Sequence, residues 1–200
     1  MNTKQTLVNN ALAAGATYKE FREEVSNHVI SKTTTGSNQT DALINYTKLN
    51  DARMRRLDKT TKISETHQTL FSNYQKKVTW LVLTESWCGD AAQSLPVLNK
   101  IASITPHLTL KVVLRDEHID LMQHFLTNGA MAIPKLIAID EVSGDILGQW
   151  GPRPSEATKM VAHYKAANGS LSPEFKKDLQ IWYTKDKGQS IIEDITQVLT

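Results

Sequence analysis

Apolar and polar positions change rhythm about two-fifths of the way along the chain. Up to residue 77 the apolar residues recur at helical spacing, no proline occurs, and only Gly15 and Gly36 punctuate the pattern. The spacing predicts a helix over 3–14 stopped by Gly15, and a second over 17–30 with Thr17 as N-cap and Glu20 three residues on, a capping-box pattern. Residues 31–40 are polar and rich in threonine, which predicts a loop or linker. A helix is expected over 41–57 with Leu43, Tyr46, Leu49, Met54 and Leu57 inward, and a shorter one over 64–75 with Leu70, Phe71 and Tyr74 inward. From Val78 the rhythm changes. Residues 78–83 form a β-branched-rich apolar run, the signature of a strand buried on both faces. There follow a predicted helix over 90–104, a strand over 108–114, and a short helix over 119–126 closed by Asn128-Gly129. Strands over 135–139 and 146–150 join through Ser143-Gly144-Asp145, and a helix over 155–167 takes Ser155 as its N-cap. The tail, 170–200, carries a Pro173-led helix and a final amphipathic one. One crossover pair followed by a hairpin predicts an α/β fold, a mixed central sheet flanked by helices.

Composition narrows the classes. Two hundred residues suffice for one domain with helical additions, and a formal charge of +2 implies no strongly charged partner. The single cysteine excludes an intramolecular disulfide and a multi-cysteine metal site. Met1-Asn2-Thr3-Lys4-Gln5 has no apolar stretch of signal-peptide length, and no run approaches the ~20 apolar residues that cross a bilayer. The expectation is a soluble cytoplasmic protein without a membrane partner.

Chemistry concentrates at Cys88, where the buried strand ends and a helix begins. Unpaired N–H groups at a helix N-terminus favour an anion by up to ~2 kcal/mol and so favour the thiolate. Asp90 opposes this, because a nearby carboxylate disfavours a second negative charge. The residues leave open an activated thiol, a nearly normal one, and a small buried hydrophobe.

The stretch Thr84-Glu85-Ser86-Trp87-Cys88-Gly89-Asp90-Ala91 resembles the Trp-Cys-Gly-Pro-Cys site of thioredoxins. Pro96 matches the proline that kinks their active-site helix, and Asp116 follows the next strand as in that family. Ile133-Pro134 looks like the family's segment ending in Ile and a cis-proline; Ser143-Gly144-Asp145 and Gly151 also fall in register. The resemblance covers about residues 64–167 and is closest to bacterial thioredoxin-like proteins with Trp-Cys-Gly-Asp at the site. It implies a thioredoxin-like fold over 64–167, with a helical extension over 1–63 and a helical tail over 168–200 that packs on it. It also implies Cys88 as nucleophile, with Trp87, Gly89, Asp90, Ile133 and Pro134 binding a protein or low-molecular-weight thiol or disulfide substrate. A proline accepts the cis bond at only ~0.5–1 kcal/mol, and Ile133 would offer its backbone for strand addition.

The departures bear on mechanism. Ala91 stands where the family has its second cysteine, and Val82 where it has a buried aspartate. Without the second thiol a mixed disulfide at Cys88 has no internal resolving partner, so turnover needs an external one. Losing the aspartate together with that thiol is physically coherent, since a buried charge is costly to keep. The rival expectation is a redox-inactive module that keeps the cis-proline groove; a third is redox sensing through Cys88. A peroxiredoxin-like site would want proline and Ser or Thr where Leu81 and Glu85 stand, and monothiol glutaredoxins share only Cys-Gly with Cys88-Gly89. The histidines (His28, His67, His107, His118, His124, His163) lack ligand spacing, so no metal and no cofactor are expected. The basic stretch from Lys48 through Arg53, Arg55, Arg56 and Lys59 to Lys62 reads as a solvated helix face rather than a nucleic-acid surface. Arg153, between two prolines, reads as a loop cap, with the holding of an acidic group as the alternative, and Trp150 and Trp182 read as packing residues.

Overall fold

A computed structural model of the chain describes residues 3–199. Met1, Asn2 and Thr200, the outer ends of the expected extension and tail, lie outside the described residues. The elements run α1 (Lys4–Ala14), β1 (Ala16–Thr17), α2 (Tyr18–Ser31), α3 (Asp41–Thr60), α4 (Glu65–Ser72), β2 (Val78–Thr84) and α5 (Gly89–Ala102). They continue with β3 (Leu108–Leu114), α6 (Ile119–Met122), β4 (Lys135–Asp140), β5 (Ile146–Trp150), α7 (Ser155–Asn168), α8 (Pro173–Asp186) and α9 (Gln189–Leu199).

The five strands form one mixed sheet in the order β1-β3-β2-β4-β5. β2 lies parallel to β3 across the α5 crossover and antiparallel to β4, and β4–β5 is a hairpin. This is the thioredoxin-like architecture, a mixed sheet flanked by helices. All seven residues of β2 are buried, as its apolar run requires of a strand inside a sheet. The two-residue β1, which the apolar pattern did not suggest, pairs Ala16 and Thr17 antiparallel with Val112 and Lys111 and so covers the β3 edge. Thr17 also starts α2: its side chain accepts from Glu20 N–H while Glu20 reaches back, a complete capping box.

Two helices differ from the apolar reading. On α3 the buried face is Thr47, Asn50, Asp51, Met54 and Leu57, whereas Tyr46 and Leu49 are 45% and 51% exposed. The reason is what α3 meets: its middle packs on the Ser86 turn, whose backbone and hydroxyl require hydrogen-bond partners, so polar side chains face in. The helix expected over 119–126 is only the four-residue α6; the chain then turns through Asn128 and Gly129, both at positive φ. Residues 32–40 are irregular as expected of a loop, but Thr34 and Thr35 within them are buried. The N-cap of α7 is Pro154 rather than Ser155.

The main core joins α1, α2 and the sheet to α5 and α9 through side chains such as Phe21, Trp80, Leu95, Ile137 and Ile191. A second, smaller apolar cluster is confined to α7 and α8: Ala157, Val161, Leu179 and Tyr183. Among the described residues no helix is long and apolar enough to cross a membrane.

Candidate functional site

β2 delivers the chain into the turn Glu85-Ser86-Trp87-Cys88, and Cys88 caps α5. Its backbone N–H donates to Glu85 O at 3.1 Å, and its carbonyl accepts the first helical bond, from Ala92 N–H, at 3.1 Å. Its sulfur accepts from Ala91 N–H at 3.4 Å, as an N-cap side chain does. The thiol in turn donates to the Ile133 carbonyl at 3.3 Å. Cys88 is 7% exposed. Burial pushes its pKa up to about 12, and the neighbouring Asp90 charge adds to this, against the helix N–H groups and Arg153. The thiol is therefore neutral near pH 7 in this conformation.

The loop before β4 supplies the opposite wall. Ile133 and Pro134 are buried, and the Ile133–Pro134 peptide bond is cis, as is Gly151–Pro152 beyond β5. The two loops touch at Gly151. With φ +109°, a Cβ there would stand 2.1 Å from the Pro134 carbonyl oxygen, so only glycine fits.

Asp90 lies on the first turn of α5 and is buried. Its carboxylate accepts from the Arg153 guanidinium at 2.6 Å and from the Tyr183 hydroxyl at 3.0 Å. Burial pushes this carboxyl above its ordinary range; Arg153 and Tyr183 pull it back. Arg153 is thus the counter-ion of Asp90 rather than a plain loop cap. One turn further along α5, the Gln93 side-chain amide donates to Gln180 on α8 at 2.9 Å. Sequence alone could not pair Asp90 with Arg153 and Tyr183, which lie on distant elements. The usable signal was that an acid in the first turn beside a buried strand needs a cation or donor when it is covered.

On the other side, α3 and the 32–40 loop hold the turn that presents Cys88. Asn50 donates to Ser86 O at 2.9 Å, and the hydroxyls of Thr34, Thr35, Thr47 and Ser86 form one buried hydrogen-bonded cluster. Trp87 is half-buried with Arg115 over its ring at 5.1 Å. Glu85 is buried: one carboxylate oxygen accepts from Asp116 N–H at 2.9 Å, while the other has no partner. Burial raises its pKa, and the hydrogen bonds it accepts, the Asp116 N–H among them, work against the rise.

The sequence-derived residues therefore divide. Cys88, Ile133 and Pro134 come together; Trp87 and Gly89 sit half-exposed at the rim; Asp90 turns toward Arg153 and Tyr183. Ala91 and Val82, at the positions of the family's second cysteine and buried aspartate, are both in the core. The basic stretch on α3 is partly tied down, Arg55 to Asp51 and Arg53 to Asn50. Among the described residues no three His, Cys, Asp or Glu side chains group as metal ligands.

A family model described as Thioredoxin matches residues 36–166. Among solved structures the chain is similar to a protein of unknown function from Pseudomonas aeruginosa, at 16% identity and TM-score 0.64 over 94% of both chains. It is also similar to an HIV epitope-scaffold, at 16% identity and TM-score 0.58 over 92% of this chain and 98% of that one. At these identities the likeness is one of fold. No curated protein matches the chain.

Proposed function

Because the chain belongs to the thioredoxin family, we propose that it is a monothiol thiol–disulfide exchange protein acting through Cys88. The observation that carries this reading is the position of the sulfur, at the N-cap of a 14-residue helix and in contact with the Ile133 carbonyl. A sulfur there gains the electrostatic support of the helix N–H groups once it is uncovered and ionised. In the first step the Cys88 thiolate attacks a substrate disulfide, forms a Cys88–substrate disulfide and expels the other substrate sulfur as thiolate. In the second, an external low-molecular-weight thiolate attacks the substrate sulfur of that bond and releases the Cys88 thiolate. The electrons balance as exchange: one disulfide is consumed and one is formed. Ala91 makes the external thiol necessary. Ile133 and Pro134 line the substrate side, with Trp87 and Gly89 at its rim and Asp90 paired behind the sulfur.

One observation favours a second reading, a redox-inactive thioredoxin-fold module that binds through the loop bearing Pro134. The sulfur is buried and held as a neutral thiol, which removes its reactivity in this conformation. Exchange between a mixed small-molecule disulfide and excess thiol, followed with wild type and Cys88→Ser, decides between them. The exchange reading predicts catalysis above background by wild type and none by Cys88→Ser. Equal rates for the two proteins would overturn it in favour of the module.

A further inference from the structure

We infer that the cleft between the end of α3, α4 and the second half of α5 is a binding site for a small organic anion, a compact apolar body carrying a carboxylate, phosphate or sulfonate. The cleft measures about 730 Å³, within the range of small-molecule sites, roughly 300–1,000 Å³. Cys88, Ile133 and Pro134 do not line it, so the inference stands apart from the exchange reading. Ile63, Pro96 and Ile104 give it an apolar lining: Ile63 and Pro96 are buried, and Ile104 packs on the main core. Such a surface holds the body of a ligand and leaves polar groups at the rim to hold its head.

The polar lining is positive, and its donors are unused. Lys62 and Lys100 stand exposed at the cleft, and among the described residues neither has a carboxylate within ion-pair distance. The side-chain amide of Asn99, between them and the apolar lining in sequence, likewise bonds to nothing among the described residues. Thr61 lines the same cleft and is 5% exposed, yet its hydroxyl has no partner. Buried hydroxyls are ordinarily hydrogen-bonded, and a ligand oxygen in the cleft would supply the acceptor this one lacks. The acid in the lining does not oppose an anion, because it is already paired: Asp58 accepts from the Tyr18 hydroxyl at 2.6 Å and from the Arg22 guanidinium at 3.3 Å. The backbone that carries these groups is also fixed. Thr61 N–H donates to Leu57 O at 2.9 Å, the Gln189 amide to Lys62 O at 3.4 Å and the Gln68 amide to Ile63 O at 2.8 Å. What a ligand has to order is mainly the two lysine side chains, which keeps the entropic cost of binding low.

The test uses naphthalene-2-sulfonate as probe, titrated into the isotope-labelled full chain at pH 7 and followed by backbone amide shifts. The site predicts saturable shifts concentrated in residues 61–63 and 97–104, with Cys88 and Ile133 unmoved. Lys62→Ala combined with Lys100→Ala removes both cations and raises the apparent Kd about tenfold or more, since two charge-assisted contacts are lost. Ser103→Trp, which places a large ring in the cleft and leaves both lysines in place, abolishes the same shifts. Inorganic phosphate, a charge without an apolar body, and 2-naphthol, a body without the charge, each bind about tenfold more weakly or worse. Shifts scattered over the surface would overturn the site, as would an unchanged Kd in the double-lysine variant. Phosphate binding as tightly as the sulfonate would also overturn it, by reducing the cleft to a patch of surface charge. Equal binding of 2-naphthol would do so too, because the anion would then play no part.

Discussion

Gly151→Ala tests whether the wall opposite Cys88 is built as described. At this residue the chain leaves β5 at φ +109° and passes so close to the Pro134 carbonyl that an added Cβ stands 2.1 Å from the oxygen and 3.2 Å from its carbon. Two costs add. Holding an L-residue at positive φ costs roughly 1–2 kcal/mol. Relieving an overlap with backbone, which cannot rotate away as a side chain does, costs about 1–3 kcal/mol more. The sum, about 2–5 kcal/mol, is a large part of the ~5–15 kcal/mol by which a domain is stable. For a chain of this size it lowers the melting temperature by roughly 4–20 °C. Gly169→Ala is the internal control. Its φ is +75°, but nothing lies within 4 Å of its Cβ position, so only the conformational cost of about 1–2 kcal/mol applies. Urea unfolding of the two variants measures the difference directly, with equal m-values required for the comparison. Equal destabilisation by the two alanines would refute the close approach of the Gly151 and Pro134 loops, and with it the geometry assigned to the substrate-facing wall.

Asp90→Asn removes the charge that helps hold the Cys88 thiol neutral and leaves the Arg153 cation in place, so the thiolate becomes easier to form. Adjacent charges in partly buried surroundings interact by a few kcal/mol, so the thiolate fraction at fixed pH rises about tenfold or more. The pH dependence of alkylation moves to lower pH; an unmoved profile would contradict the coupling. Glu85→Gln addresses the buried carboxyl with one unpartnered oxygen. Its pKa is raised in the folded state, so its contribution to stability is full below the unfolded value, near 4.3, and is lost as pH rises through the folded one. Glu85→Gln is therefore more stable than wild type at pH 7, by about 1 kcal/mol, and the advantage disappears by pH 4. An advantage equal at both pH values would refute this sign.

The central half of the molecule was legible because its signals are local and redundant. A buried strand, a capped helix and a turn-linked hairpin each carry their own pattern, and Trp87-Cys88-Gly89 and Ile133-Pro134 fall at the ends of those elements. The surroundings of the site were not legible, for the opposite reason. The face of α3 was misjudged because its stripe of Thr47, Asn50 and Asp51 is polar, and only the Ser86 turn explains why such residues face inward. Residues 31–40 read as a loop or linker with no hint of burial, because buried hydroxyls look the same in sequence as solvated ones; their partner is Ser86, about fifty residues away. Arg153 and Tyr183 share no pattern with Asp90, and only folding brings the three together. What sequence conveyed was the family's framework. The polar surroundings of the site are written in long-range pairs.

Intact-mass analysis of the native protein incubated with a low-molecular-weight disulfide tests the claim that Cys88 does exchange chemistry. The account predicts a single adduct that forms under native conditions, is absent in Cys88→Ser, and is released by added thiol. A native protein that stays unmodified, while the same chain in urea is modified fully, would contradict it.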